Sequence, residues 1–148
     1  MPLEQQFFVT FQVFLAALLS MVMGLDRERR QRPAGLRTHM LVGVGACLFT
    51  VLSVLAFPGS DTARVAAQVV TGVGFLGAGT IIQRKGDVKD LTTAASIWAT
   101  AAVGMAVGAG AWFLALTSTL LIWTILAVIR RFEDKDGGPN NSPGGGAI

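Results

Sequence analysis

The sequence predicts an all-α polytopic membrane bundle with about five transmembrane helices. Three observations predict it. Hydrophobic residues make up 52% of the 148, with a mean hydropathy of +0.58. Charged residues make up 14%, against about 25% in a soluble domain. Eleven of the twelve Lys and Arg fall in three short segments, Arg27–Arg37, Arg84–Lys89 and Arg130–Lys135, which alternate with long apolar stretches. Basic loops stay on the cytoplasmic side of a membrane, so this alternation sets an orientation as well as a class.

A spanning helix needs about 20 apolar residues. The first candidate is Phe7–Leu25. A signal peptide would want a basic start and a shorter apolar core. Met1–Glu4 carries no Lys or Arg, so the segment is expected to stay as a membrane helix. The second span is Thr38–Phe57, ended by the turn Pro58-Gly59-Ser60-Asp61. The third is Ala63–Gln83, the fourth Thr93–Val107 and the fifth Trp112–Ile129. No charge occurs between Thr93 and Ile129, a stretch too long for one span, and Gly108-Ala109-Gly110 is the break that glycine permits. One long kinked helix is the alternative. Together these form a transmembrane domain over residues 1–131. The tail, residues 132–148, is rich in Gly, Pro and Asn and is expected to be flexible and cytoplasmic. Five spans put the N-terminus outside and the C-terminus in the cytoplasm.

The bilayer is therefore the first partner. A pI near 9.8 would also suit a nucleic-acid binder, but basic loops beside spans account for it, and no nucleic acid is expected. The single cysteine, Cys47, lies in an apolar run and reads as a packing residue. No nucleophile–base set, P-loop or HExxH is present, so an enzyme is not expected.

Span three carries Gly72, Gly74, Gly77 and Gly79, and Gly104 of span four makes a GxxxG with Gly108 just beyond it. Small residues let helices approach closely in lipid. These glycines are read as helix-packing positions, either within the chain or at a homodimer or partner face. Four glycines in eight residues also suggest local unwinding of span three. Gln68, Thr71, Thr92, Thr93 and Ser96 could then line an ion path. A parallel repeat of spans one–two and three–four is a further expectation, from the matching intervals Gly24 to Leu36 and Gly79 to Leu91.

Asp26, Arg27, Glu28, Arg37, Thr38 and His39 gather at the cytoplasmic end of spans one and two. Most read as interfacial, with arginines snorkelling to lipid phosphates. Asp26 and Arg37 each border a span and are expected to meet across the helix pair, where burial would mark a functional site. His39 reads as an interfacial hydrogen-bonding residue, and its titration near neutrality leaves a pH-sensing role open. No cofactor is expected. Mg²⁺ is the one ion the loop carboxylates could hold, with Asp26 and Glu28 as ligands and Asp87 and Asp90 as a second pair.

Three ordered blocks resemble the MgtC/SapB family: Gly24-Leu25-Asp26-Arg27-Glu28 with Pro33-Ala34-Gly35-Leu36-Arg37-Thr38-His39-Met40-Leu41-Val42; Gln68 to Gly79; and Leu91 to Gly104. The resemblance implies a bacterial inner-membrane protein of about five spans, linked to adaptation to low Mg²⁺. It implies a membrane partner such as the proton-translocating ATP synthase, which virulence-associated members are reported to restrain. Direct transport of Mg²⁺ or another ion is the alternative. The chain departs from the virulence-associated pattern at Thr92, where those members have Asn, and at Ala99, where they have Cys. Those members also carry a cytosolic ACT-like domain, where this chain has a Gly-rich tail.

Overall fold

The computed structural model describes residues 1–56, 59, 61–84 and 87–129. Helix α1 (Leu3–Arg29) runs 27 residues. At 1.5 Å per residue that is about 40 Å, enough to cross the hydrocarbon and project beyond it. Its last turn carries Arg27 and Arg29, whose charge suits the negative end of the helix dipole. Helix α2 (Leu36–Leu55) begins after Gly35, and its free Leu36 N–H donates to Glu28 Oε2 at 2.9 Å. Helix α3 (Thr62–Thr80) is started by Asp61, whose carboxylate accepts from Ala63 N–H at 3.0 Å.

The chain then makes a small antiparallel hairpin, β1 (Ile82–Arg84) and β2 (Asp87–Lys89), with Ile82 opposite Lys89. Asp90 follows in the left-handed region at φ +64°, which Asp tolerates better than most residues. Helix α4 (Leu91–Gly108) and helix α5 (Trp112–Thr124) complete the bundle, and a π-helical stretch, Ile125–Ile129, continues α5. The reversal between α4 and α5 uses Gly110 at φ +80°, where a side chain would be strained.

Among the described residues, α1, α2 and α4 are long and apolar enough to cross a membrane by themselves. Helix α3 carries Arg64 and Gln68, and the apolar part of α5 is shorter. Helix α4 is central, touching α1, α2, α3 and α5. One core lies among α1, α2, α4 and α5 and contains Ala16, Leu19, Met23, Cys47, Val103 and Val107. A second, among α2, α3 and α4, contains Val42, Ala46, Val69, Val73, Ile97 and Ala101. The outer surface is apolar in the manner of a lipid-facing bundle: Phe7, Phe75 and Phe113 are all more than 70% exposed.

Several expectations are corrected. The third helix ends at Thr80 instead of Gln83, because Ile81 turns extended and the next residues pair as a hairpin. Helix α3 is continuous through its four glycines. In an apolar medium the helix's own hydrogen bonds are the only partners its backbone has, which outweighs glycine's preference for disorder. Gly72, Gly74 and Gly79 have nothing within 4 Å of where a side chain would begin, so they do not pack within the chain. Gly77 does, against Ala94 at ordinary contact distance, and Gly104 lies directly on the Gly43 carbonyl of α2. The suggested repeat also loses its support: Gly24 is tightly packed on Leu36, whereas Gly79 stands open. Lys85, Arg130, Arg131, Lys135 and the tail lie outside the described residues.

A buried polar cluster at the basic end of the bundle

On α1 the buried positions Gln12, Ala16, Ser20, Met23 and Arg27 recur every three or four residues, so they share one face. On α4 the positions Thr93, Ser96, Thr100, Val103 and Val107 do the same. The two stripes face each other with α2 alongside. Their polar members meet at the end of the bundle that carries the basic loop.

Arg27 is 3% exposed. Its Nη2 donates to Thr93 Oγ1 at 2.8 Å. Thr93 Oγ1 in turn lies 3.4 Å from Asp90 Oδ1, and Arg32 Nη1 is 3.9 Å from the same carboxylate oxygen. His39 is fully buried. Its Nδ1 is 2.9 Å from the Gly35 carbonyl oxygen, and its Nε2 is 3.1 Å from Ser96 Oγ. Ser96 Oγ also lies 2.8 Å from the Thr93 carbonyl oxygen. One turn further in, Thr100 Oγ1 donates to the Ser96 carbonyl at 2.8 Å and lies 3.7 Å from Met23 Sδ. The last polar atom of the column is Ser20 Oγ, buried and without a hydrogen-bond partner among the described residues. Seven residues of helix separate Arg27 from Ser20, about 10 Å.

Beyond Ser20 comes an apolar cluster, and the buried hydroxyls of Ser53 and Thr119 are spent on the backbone carbonyls of Thr62 and Ala115. Ala16, Leu19, Cys47, Val51, Val103 and Val107 pack as one cluster. Gln12 reappears on the far side, where its amide donates to the Val107 carbonyl at 2.8 Å and closes the end of α4. The polar column thus enters the bundle from one end and stops. A buried charge is tolerated only when hydrogen-bonded, and the Thr93 hydroxyl is placed to do this for Arg27.

The expected site residues are redistributed. Asp26 and Arg37 do not meet: Asp26 Oδ1 pairs with Arg30 Nε at 2.8 Å, one turn on along the same helix, while Arg37 and Thr38 are exposed. Arg27 and His39, read as interfacial, are instead inside. The reason is helical phase. Arg27 falls on the stripe of Ser20 and Met23, and Gly24 lets α2 approach until Leu36 and His39 lie against α1. Glu28 is exposed and spends one oxygen on the start of α2. No group of three or more His, Cys, Asp or Glu that could hold a metal occurs among the described residues, and Asp26 and Glu28 are engaged by different partners. The imagined ion path is also split, since Gln68, Thr71 and Thr92 are exposed on the outside while Thr93 and Ser96 are buried within.

A family model described as the MgtC family matches residues 13–135, which include the polar column from Ser20 to Asp90 and Thr93. The chain belongs to the MgtC family. It is 42% identical over 128 residues to the putative magnesium transporter YhiD of Escherichia coli K12, covering 81% of this chain and 60% of that protein. It is 47% identical over 115 residues to the protein MgtC of Brucella abortus, covering 78% and 48%. It is 40% identical over 139 residues to the protein SrpB of Synechococcus elongatus, covering 84% and 76%. The chain therefore spans about half to three quarters of the length of these curated relatives. No solved structure matches it. Family and apolar helices together make it a bacterial membrane protein.

Within this MgtC-family bundle, sequence reasoning missed Ser20 and Thr100 as parts of the buried column, Gln12 on its far side, and Gly43 as the floor on which Gly104 packs. The signal was present. Polar residues at helical spacing in an otherwise apolar helix mark a face turned away from lipid.

Proposed function

We propose that this chain is an inner-membrane protein of Mg²⁺ homeostasis that acts on a membrane partner, with its basic end cytoplasmic, its N-terminus outside and its C-terminus inside. The observation that carries this reading is the apolar plug: a column of polar groups that ends against Ala16, Leu19, Cys47, Val103 and Val107 supports a folded, closed core better than a conduit. The Mg²⁺ connection draws on family membership and on the name of the Escherichia coli relative.

The outer surface supplies a place for the partner. A cavity of about 480 Å³ lies between α2 and α3, lined by Leu41, Gly45, Phe49, Gln68, Gly72 and Leu76. It exists because Gly45 and Gly72 put no side chain there. Its one polar side chain is the exposed amide of Gln68, which lipid tails cannot satisfy. A transmembrane helix that brings a hydrogen-bonding side chain would satisfy it. The occupant proposed is such a helix of a different protein, and the ATP synthase implied by the resemblance is the first to test.

A photocrosslinker at Leu76 tests this in native membranes. We expect a heteromeric adduct. Gly72→Leu fills the groove without touching the chain's own core, and is expected to cut the yield at least about tenfold, equivalent to about 1.4 kcal/mol. An adduct only with a second copy, or only with lipid, would overturn the heteromeric reading. Ion transport is the second reading, favoured by the buried Arg27 and His39, since ionisable groups at membrane depth often mark ion or proton pathways.

A further inference from the structure

The hydrogen bonds of His39 and Ser96 do not add up for a single arrangement of protons. The Gly35 carbonyl oxygen can only accept, so Nδ1, 2.9 Å away, carries a hydrogen. In a neutral ring Nε2 is then an acceptor. It needs the Ser96 hydroxyl hydrogen across 3.1 Å. The same hydroxyl stands 2.8 Å from the Thr93 carbonyl oxygen, and it has one hydrogen to give. When the ring takes a second proton the conflict vanishes. Nε2–H donates to Ser96 Oγ, Ser96 O–H donates to the Thr93 carbonyl, and Nδ1–H keeps the Gly35 carbonyl.

We infer that His39 and Ser96 form a proton-binding site in which one fixed geometry serves both charge states. Proton uptake reverses the Ser96 hydroxyl and moves no heavy atom. The group bound is a proton, delivered from the basic end. The Thr93 carbonyl can release the hydroxyl in the neutral state because a helix carbonyl has two lone pairs, one of which serves the helix's own ladder.

The surroundings define the charge balance. From α1 the group that faces His39 is the Arg27 guanidinium, which is near enough to act on it electrostatically. From α4 it meets the Ser96 hydroxyl, which stands 2.8 Å from the Thr93 carbonyl oxygen, while the Thr93 hydroxyl turns to Arg27 and Asp90. Met23 and Gly24 of α1 and the start of α2 contribute no other charge at the ring, while Asp26 is paired with Arg30 and Glu28 with the Leu36 N–H. The carboxylates nearest this network are Asp90, 3.4 Å from Thr93 Oγ1, and Glu28, which lies against Gly35.

His39 is the only histidine in the chain, so its imidazole can be read without ambiguity. The test is nitrogen NMR of histidine-labelled protein in lipid nanodiscs between pH 8 and pH 5. We expect a neutral ring protonated at Nδ1 at the alkaline end. On acidification it should pass in one step to a doubly protonated ring, with the backbone spectrum of the folded bundle retained. Ser96→Ala removes the acceptor for Nε2–H and should move the midpoint down by about one pH unit, a tenfold loss of proton affinity. Ser96→Thr keeps the hydroxyl and should restore it. A ring protonated at Nε2 at pH 8, no uptake by pH 5, uptake only with loss of the folded spectrum, or an unmoved midpoint in Ser96→Ala would each overturn the inference.

Discussion

Gly104→Ala should destabilise the bundle by about 3 kcal/mol, at the upper end of what one added carbon costs in a packed core. The added carbon would fall on the Gly43 carbonyl of α2, with the Gly43 Cα also within 3.0 Å. Neither is the tip of a flexible side chain, so relief requires α2 and α4 to separate. That separation would also disturb the contact one turn along, where Gly108 packs so closely on Cys47 that an added Cβ would stand 2.7 Å from its carbonyl oxygen. The matched comparison is Gly74→Ala, on the open face of α3. There alanine meets nothing and gains helix propensity, so stability should be unchanged or rise by up to about 1 kcal/mol. Thermal loss of the monodisperse peak in detergent measures both. Similar midpoints for the two variants would mean that the α2–α4 contact is not the close one described.

The second large effect lies at Arg27. Arg27→Met should cost about 2–3 kcal/mol, because a charge-assisted hydrogen bond is lost and Thr93 is left without its donor. Arg27→Lys should recover only part of this, since an ammonium on a flexible stem does not reproduce a guanidinium's fixed donors. Thr93→Val keeps the volume and removes the acceptor. A double-mutant cycle of Arg27→Met and Thr93→Val should give a coupling of about 1.5–3 kcal/mol. A coupling below about 0.5 kcal/mol, the level of independent sites, would contradict the 2.8 Å contact.

Class and family were legible because they rest on long-range regularities. The alternation of basic loops with apolar runs survives any local error, and the three motif blocks stand in order. The helix ends were legible where a side chain sets them, as at Asp61, and less so at Thr80, where the extended hairpin strand is written only weakly in Ile82 and Gln83. The site was half legible. Arg27, His39 and Thr93 were among the candidates, but Asp26 and Arg37 were ranked above them by their position at span borders. Burial depends on helical phase and on which faces meet, and phase alone cannot say that Gly24 admits α2 so closely. The glycines show the same limit. Gly72, Gly74, Gly77 and Gly79 look alike along the chain, yet only Gly77 faces α4 and the others face outward. Thr92 and Thr93 are neighbours in sequence and opposites in space.

The proposed function turns on whether the closed core conducts. Mg²⁺ entry into proteoliposomes of the purified protein, followed with an entrapped indicator and checked against a reconstituted Mg²⁺ channel, tests this directly. With folded protein present in both orientations, the account predicts entry no faster than in empty vesicles. Entry that scales with protein density and is lost in Thr93→Val would contradict it and make the polar column the inner half of an ion path.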